Sequence, residues 1–213
     1  MPTEVEAKFR AESAEPLAEL ATRPRLGRAV LGSPRTVDET DRYLDTADGR
    51  LEAARWACRL RSREGTARIS LKGPPGDGTE GWYHRRPEVE GPATPTVDPD
   101  GWPPSPALEL LATLSAGRPL VERLRLKQRR TERAVALDDG TPIGTLTLDR
   151  VRMLDGQEDL GELFVVELEL DPSSEEARAE LDALAAEIAT IDGLAPEPRS
   201  KLEHALERMT KPR

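Results

Sequence analysis

The chain begins with a motif in which every second residue carries a charge. Glu4, Glu6 and Lys8 are each separated from the next by one apolar residue. Because successive side chains of a β-strand point to opposite faces, the three charges share one face and the apolar residues share the other. Carboxylates suit hard divalent cations, and an ammonium group suits phosphate. This strand could therefore contact both a metal ion and a phosphorylated ligand.

The same period-two pattern recurs along the chain, with like charges two residues apart. The basic positions are Arg59 and Arg61, Lys72, and the run of Arg125, Lys127 and Arg129. The acidic positions are Glu88 and Glu90, Asp149, and Glu167 and Glu169. Like charges spaced in this way lie roughly 6.6–7 Å apart along a strand and repel each other unless they are neutralised. A metal-bound polyphosphate would neutralise both sets together.

The same charges are also compatible with two arrangements that bind no ligand. The charged faces could be the solvent-exposed side of an antiparallel sheet, which is the commonest reason for such alternation. Alternatively, acidic and basic rows could pair with each other across an interior. Repetition of like charges over several segments favours an interior that binds a ligand, because exposed faces usually mix neutral and charged residues.

Segments with the period of a strand place these residues on a mainly β fold. Strands are predicted at 3–10, 56–63, 67–72, 82–90, 121–130, 133–137, 143–150 and 163–170. Glu64-Gly65-Thr66 and Asp138-Asp139-Gly140 predict tight turns between antiparallel neighbours. Helices are predicted over 14–22, 106–115, 173–190 and 200–209, with Ser13 and Ser105 as caps of the first two.

The amphipathic helices can cover the apolar faces of the strands from outside. In the helix over 173–190, Leu181, Leu184, Ala185 and Ile188 share one face. If helices cover the apolar side of a closed sheet, the charges must point into its interior. We therefore predict an α+β fold, an eight-stranded closed antiparallel β-barrel or tunnel with a charged interior and helices packed outside.

Composition bounds the size and class of the protein. The 213 residues predict a single domain over 1–213, with a proline-rich connection over about 91–106. The formal net charge of −9 argues against nonspecific binding to nucleic acid or to an anionic membrane. One cysteine, Cys58, predicts a reducing compartment. Neither a signal peptide nor a membrane-spanning apolar run is evident, so we expect a soluble, cytoplasmic protein.

An ordered set of motifs resembles the CYTH superfamily, the triphosphate tunnel metalloenzymes, over nearly the whole chain. The set begins with Glu4-x-Glu6-x-Lys8 and Tyr43-Leu44-Asp45-Thr46 and continues with Arg59-x-Arg61 and Lys72 in Leu-Lys-Gly. It ends with Glu88-x-Glu90, Lys127-x-Arg129-Arg130, Asp149 in Leu-Asp-Arg, Glu167-x-Glu169 and Ser200-Lys201. One Glu-x-Glu-x-Lys motif is weak evidence. The ordered set is specific.

The resemblance implies an antiparallel tunnel that cleaves a small triphosphate with the help of Mg²⁺ or Mn²⁺, expected as two ions. The residues expected to bind the triphosphate are Lys8, Arg59, Arg61, Lys72, Lys127, Arg129 and Lys201. The residues expected to hold metal are Glu4, Glu6, Glu88, Glu90, Asp149, Glu167 and Glu169. Glu4, Glu6 and Lys8 are the first candidates for the catalytic group. The oligomeric state is left open.

The group attached to the triphosphate is the open question. Inorganic triphosphate is the favoured substrate, with nucleoside triphosphates as weaker ones. Thiamine triphosphatase and class IV-type adenylyl cyclase remain alternatives, and a non-catalytic module that binds polyphosphate or nucleotide is an alternative of another class. An organic group would need an aromatic partner. Trp56 shares the parity of Cys58 and is predicted to pack outside the tunnel, whereas Trp82 could face it. His84 and His204 are predicted surface groups.

Overall fold

The computed structural model describes residues 3–74, 83–170 and 175–210, with side chains described for 5–74, 86–170 and 180–210. Within these residues the long strands are β1 Thr3–Ala11, β4 Arg35–Thr46, β5 Ala57–Arg63, β6 Thr66–Lys72, β7 Tyr83–Ala93, β8 Leu120–Ala136, β9 Pro142–Asp155 and β10 Glu158–Leu170. Short strands are β2 Arg25–Leu26, β3 Ala29–Leu31 and β11 Leu194–Pro196. The helices are α1 Glu15–Thr22, α2 Arg50–Ala53, α3 Pro106–Ser115, α4 Glu175–Ile188 and α5 Lys201–Thr210.

The eight long strands pair in one succession. The order is β8-β4-β5-β6-β7-β1-β10-β9, and β9 also pairs with β8. Every one of these pairings is antiparallel. The prediction of an α+β fold built on an antiparallel sheet is confirmed. The face of this sheet that carries Lys8, Arg59 and Glu167 is called the inner face below.

Local sequence signals account for most of the element boundaries. Glu64 and Gly65 join β5 to β6 with φ values of 49° and 77°, the left-handed backbone that a two-residue hairpin of this kind requires. Ser105 Oγ accepts a hydrogen bond from the Leu108 amide at 3.2 Å and so caps α3 as predicted. Ser13 does not cap α1, because Ala14 occupies the N-cap position there without a side-chain hydrogen bond.

Two apolar clusters hold the helices on the outer face of the sheet. One joins α1 and α4 to β1, β9 and β10, with Phe9, Leu20, Leu168 and Leu184 fully or almost fully buried in it. The other places α3 over β5 and β6. Along β1, β5, β6 and the end of β10, from Val166 to Leu170, the apolar residues therefore face outward and the charged residues face inward, as the alternation predicted. Among the described residues, none of the helices combines the length and apolar character needed to cross a membrane.

The strands β4 and β8 depart from the sequence prediction. Residues 35–46 form a strand that was not predicted, and 120–136 form one strand where two were expected. On β8 the apolar residues Leu124 and Leu126 face inward, where they pack with α5 and with Val151 of β9. Lys127 and Arg129 are exposed on the opposite, outer face. The prediction that these two cations point into the interior is wrong, because an apolar cluster inside the sheet reverses the parity of this strand.

The last helix differs from the others in its contacts. Ala205 of α5 is buried in the same inner-face cluster, and Leu202 and Met209 pack against that cluster. The helix therefore lies against the apolar part of the inner face. Its first residue, Lys201, is brought to the boundary between this apolar part and the charged part of the inner face.

Candidate functional site

A cavity of about 230 Å³ lies on the charged part of the inner face. Side chains from β1, β5, β6, β7, β10 and α5 line it, so residues far apart in sequence converge there. The predicted site residues that line it are Glu6, Lys8, Arg59, Arg61, Lys72, Glu88, Glu90, Glu167, Glu169 and Lys201. The cavity is also lined by Tyr43, Arg86, Arg130 and Thr147, which the prediction did not include.

Four predicted site residues are not among those that line this cavity. Asp149 is completely buried beside it and contacts its cations. The side chain of Glu4 lies outside the described residues, although its backbone pairs with Arg86. Lys127 and Arg129 belong to the outer face of β8 and are separated from the cavity by the strand itself.

Lys201 joins two buried carboxylates next to the cavity. Its Nζ lies 2.5 Å from Asp149 Oδ2 and 2.9 Å from Glu167 Oε2. Arg130 donates two hydrogen bonds to Asp149, at 2.8 and 2.7 Å, and a third to Glu167 at 3.3 Å. Lys201 and Arg130 thus share the same two carboxylates. The register of β8 with β9 places Arg130 directly opposite Asp149.

Lys8 and Glu6 of the N-terminal strand β1 extend this network of ion pairs. Lys8 Nζ lies 2.9 Å from Glu6 Oε1 and 3.5 Å from Glu167 Oε1. The antiparallel register places Lys8 directly opposite Glu167, and Glu6 opposite Glu169. Only 2% of the Lys8 side chain is exposed. Lys8 therefore pairs with one carboxylate on its own strand and with one on β10, while Glu6 faces the like charge of Glu169.

Strand β4 contributes carboxylates that the sequence prediction missed. Asp41 accepts two hydrogen bonds from Arg61, both at 2.7 Å, and one from Gln128 at 2.7 Å. Glu39 lies 3.0 Å from Arg61 and 3.4 Å from Arg130. Both carboxylates are buried. They hold the arginines that face the cavity in a fixed orientation.

The lack of an apolar alternation is the reason that β4 was overlooked. Asp38, Thr40 and Arg42 on its outer face are as polar as the carboxylates on its inner face. A strand that is polar on both faces gives no period-two signal in hydrophobicity. The pattern that indicates a charged inner face on β4 is the spacing of Glu39 and Asp41, two like charges two residues apart as in the other strands.

The remaining cations of the cavity have looser partners. Lys72 Nζ lies 3.3 Å from Glu88 Oε2. Arg59 donates to Ser70 Oγ at 3.1 Å and lies 3.6 Å from Glu88 and 3.7 Å from Asp41. These described ion pairs are longer than those of Lys201 and Arg130 with Asp149.

Burial and charge pull the pKa values of these groups in opposite directions. Burial raises the pKa of Glu167, but Lys201, Lys8 and Arg130 outweigh it and hold this pKa well below its usual range. The pKa of Asp149 is lowered in the same way by Arg130 and Lys201 against burial. Burial lowers the pKa of Lys8, yet Glu6 and Glu167 outweigh it and raise the net value. All three groups are therefore charged at neutral pH.

The start of α5 is organised so that Lys201 points into this network. Ser200 Oγ accepts a hydrogen bond from the Glu203 amide at 3.2 Å, and the Glu203 carboxylate accepts one from the Ser200 amide at 2.6 Å. This reciprocal pair is a capping box, which fixes the first turn of a helix. Asp45 has a similar local role, since it accepts hydrogen bonds from the amides of Thr46, Leu51 and Glu52 around α2.

The donor set of the cavity suits a divalent cation. Within the described residues, Glu88 Oε1 is buried and accepts no hydrogen bond, with Arg59 3.6 Å away as an ion-pair partner, whereas Glu6 Oε1 is buried 2.9 Å from Lys8 Nζ. Carboxylate oxygens left without a hydrogen bond are good ligands for a hard cation such as Mg²⁺. Among the side chains that the structure describes, no three acidic, histidine or cysteine residues already stand in a metal-binding arrangement. The acidic groups are instead paired with lysines and arginines, as the alternative of mutual ion pairing anticipated.

A second cavity of about 330 Å³ adjoins the charged one. The two share Tyr43, Ala57, Lys72, Arg86, Ser200 and Leu202 in their walls. The second cavity adds Trp56 and Leu206, so it is more apolar. Trp56 packs against the outer apolar cluster as expected, but it also lines this second cavity. Trp82 lies outside the described residues.

We expect the free energy of unfolding to fall steeply in acid. The pKa values of Asp149 and Glu167 are lower in the folded chain than the ordinary value of about 4 in the unfolded chain. Their contribution is therefore complete above about pH 4–5 and is lost as the pH falls through the folded values. Urea unfolding between pH 3 and pH 7 measures this, with Asp149→Asn as the comparison, which should show a weaker pH dependence. Equal stability at pH 3 and pH 6 would contradict the assignment.

Solved structures share this fold. HpAC1 from Hippeastrum, an adenylyl cyclase candidate described as having a dominant triphosphatase activity, is 18% identical with a TM-score of 0.63, over 96% of this chain and 95% of that chain. An adenylate cyclase candidate from Bacillus halodurans is 19% identical with a TM-score of 0.62, over 96% of this chain and 98% of that chain. Identities this low show a common fold.

The family assignment comes from the sequence itself. No curated protein matches the chain significantly. The family model described as the CYTH domain matches residues 2–205, which include every strand and the first half of α5. The chain therefore belongs to the CYTH domain family.

Proposed function

We propose that this protein hydrolyses a triphosphate in the charged cavity with the help of a divalent metal ion. The favoured substrate is inorganic triphosphate, which would yield pyrophosphate and phosphate. The observation that carries the proposal is the convergence of lysines and arginines from separate elements on one cavity that also contains carboxylates. HpAC1, which shares the fold, is described as having a dominant triphosphatase activity.

The cations that line the cavity would bind the phosphate oxygens. These residues are Lys8, Arg59, Arg61, Lys72, Arg86, Arg130 and Lys201. Arginine can bind two phosphate oxygens through two parallel hydrogen bonds, while lysine acts as a compact charge. Arg59 and Lys72 lie beside Glu88, so a phosphate group bound by both cations would lie next to a carboxylate that can hold metal. Asp41 would keep Arg61 in place as the phosphate binds.

The carboxylates of the cavity would hold the metal. Proposed ligands are Glu4, Glu6, Glu88, Glu90, Glu167 and Glu169, with Asp149 closest to Lys201 and Arg130. A bound Mg²⁺ or Mn²⁺ neutralises phosphate oxygens and acidifies water, and two ions can share these tasks. Glu88 and Glu6 are the first choices, since Glu88 has a buried oxygen that accepts no hydrogen bond from the described residues and Glu6 shares the cavity with it. Asp149 has both oxygens engaged by cations, so its main task would be to orient them.

Hydrolysis itself needs neutralised charge and a correctly placed water more than it needs a nucleophilic side chain. Water attacks the terminal phosphorus as the bond from that phosphorus to its bridging oxygen breaks. The released pyrophosphate takes the electrons of that bond. The cations that line the cavity would neutralise both the terminal and the leaving phosphates and so orient the substrate for in-line attack by water. Pre-organised charges of this kind stabilise a transition state without further rearrangement.

The second cavity favours organic triphosphates as a further class of substrate. Trp56, Leu202 and Leu206 give it an apolar wall next to Lys72 and Arg86. A nucleoside or thiamine group could occupy this space while its phosphates lie in the charged cavity. Indole rings gain about 0.5–1.5 kcal/mol from stacking on another aromatic ring. Conversion of ATP to cyclic AMP would use the same two cavities.

Product analysis tests the proposal. Purified protein is incubated with inorganic triphosphate, ATP or thiamine triphosphate, with Mg²⁺ or Mn²⁺ and after chelation. We expect phosphate and pyrophosphate from inorganic triphosphate, and loss of turnover on chelation. Cyclic AMP from ATP would indicate a cyclase instead. Binding of all three compounds without any product would indicate the non-catalytic module.

Two neighbouring arginines test which face of β8 serves the site. Arg130→Gln should lower kcat/KM for inorganic triphosphate by about 10²-fold or more, because it removes a cation from the cavity and from Asp149. Arg129→Gln, one residue away on the exposed outer face, should stay within about twofold of the wild type. Steady-state kinetics of both variants decide this, together with circular dichroism to verify folding. Equal losses in the two variants would contradict the placement.

Trp56→Ala tests the second cavity. We expect kcat/KM for ATP or thiamine triphosphate to fall about tenfold, as loss of one stacking contact predicts. Turnover of inorganic triphosphate should change by less than about twofold, since that substrate has no organic group, and it serves as the control within the same variant. A uniform loss for all substrates would show that Trp56 supports the fold and has no part in substrate choice.

A further inference from the structure

Glu197 is a buried carboxylate that the proposed chemistry does not use. Only 2% of it is exposed, although it lies in the segment that connects β11 to α5. Its Oε1 accepts hydrogen bonds from the Arg199 amide at 2.9 Å and from Arg199 Nε at 3.2 Å. Its Oε2 lies 2.7 Å from His204 Nε2 and 3.4 Å from Arg10 Nε. The group therefore contacts three positively charged or titratable side chains.

These contacts join the N-terminal strand to the last helix. Arg10 lies on β1, two residues after Lys8, and His204 lies on α5. The Glu197 amide also donates a hydrogen bond to the Lys8 carbonyl at 3.0 Å. Glu197 therefore contacts β1 twice, through its backbone at Lys8 and through its side chain at Arg10. One residue thus links the strand that carries Lys8 with the helix that carries Lys201.

His204 connects Glu197 to the part of α5 that carries Lys201. It follows Lys201 by three residues, and residues three apart lie on the same side of an α-helix. Both side chains are buried, with 8% of Lys201 and 6% of His204 exposed. The sequence prediction that His204 is a surface group is therefore wrong. Whatever holds His204 in place also holds the first turn of α5, from which Lys201 reaches Asp149 and Glu167.

We propose that Glu197 is a positioning residue that holds α5 against β1 and thereby keeps Lys201 in the charged cavity. The inference rests on the proposed function for its kinetic test only, because the positioning itself is a property of the fold. The amide of Glu197 contacts Lys8, which lines the cavity, and a change of the Glu197 side chain leaves this backbone hydrogen bond in place. The side chain itself contacts His204 of α5, so the effect of its replacement on a reaction would act through the position of α5 and of Lys201.

A carboxylate suits this position because it has to satisfy several donors at once. Ionised, it offers two oxygens with about four acceptor sites, and here they face a backbone amide, two arginines and an imidazole. Burial raises the pKa of Glu197, but the Arg199 amide and His204 outweigh it and lower the net value. Burial also lowers the pKa of His204 despite the neighbouring Glu197. Glutamine at this site would keep the shape but would remove the negative charge that faces Arg10, Arg199 and His204.

A double-mutant cycle tests the route through Lys201. We expect Glu197→Gln to lower kcat for triphosphate hydrolysis about tenfold and Lys201→Met to lower it about 10²-fold. If Glu197 acts through Lys201, the double variant should be no slower than Lys201→Met alone, because coupled residues are not additive. A double variant slowed by the product of the two factors would overturn the proposal.

A measurement without substrate separates this proposal from the proposed function. Amide hydrogen exchange should become about tenfold faster in the first two turns of α5 in Glu197→Gln, because local opening becomes easier. Glu207→Gln is the matched control, since Glu207 lies on the same helix and binds Arg199 from an exposed position, 41% exposed. The control should change neither exchange nor kcat beyond about twofold.

The outcomes are distinct. Unchanged exchange in Glu197→Gln would overturn the positioning role, whether or not the protein is an enzyme. Faster exchange confined to α5, together with the non-additive cycle, would support it. If the wild type hydrolyses none of the triphosphates, the proposed function fails, and the exchange experiment with its control still decides whether Glu197 holds α5.

Discussion

The structure depends on the neutralisation of charges that the sheet buries on its inner face. Removal of one partner from a buried ion pair typically costs about 3–5 kcal/mol, because the other charge is left uncompensated. The inner face meets this constraint by placing opposite signs on neighbouring strands. Lys8 faces Glu167, Arg130 faces Asp149, and Arg61 binds Asp41 from the next strand. The strand register is thus an electrostatic requirement as well as a packing one.

The same pairing prepares the cavity for an anion. A lysine or arginine that already faces a carboxylate is ordered before any ligand arrives, so little conformational entropy is lost on binding. Under the proposed function, a phosphate group would displace some of these carboxylates and leave them available to a cation. The same side chains would then stabilise the fold without ligand and bind the substrate when it is present.

Apolar cover decides which face of each strand is charged. Where α1, α3 and α4 lie on the sheet, apolar residues face outward and charges face inward. Where β8 passes below α5, the apolar cluster is on the inner face, and Lys127 and Arg129 are turned to the outside. The alternation of a single strand therefore does not reveal which of its two sets of side chains faces the interior of the sheet. That depends on which neighbour buries its apolar residues.

Prediction from sequence succeeded where a local pattern had a single structural solution. The hairpin at Glu64-Gly65, the capped start of α3 and the apolar side of α4 follow from residues that are neighbours in the chain. The inward charges of β1, β5 and β10 were also found, because helices cover the opposite face as expected. Glu39 and Asp41 were missed since β4 is polar on both faces, and Arg130 was missed since its strand has the opposite parity.

The sequence by itself determined the alternation of charge along β1, β5 and β10, the family and most helix boundaries, because these depend on motifs whose residues lie a few positions apart. Only the tertiary structure decided which cations reach the cavity, that Lys201 of α5 joins residues from the sheet, and that Glu197 contacts both β1 and α5. Those contacts join residues far apart in the chain. They depend on strand register and on the helix that packs against each face, and no local pattern encodes either.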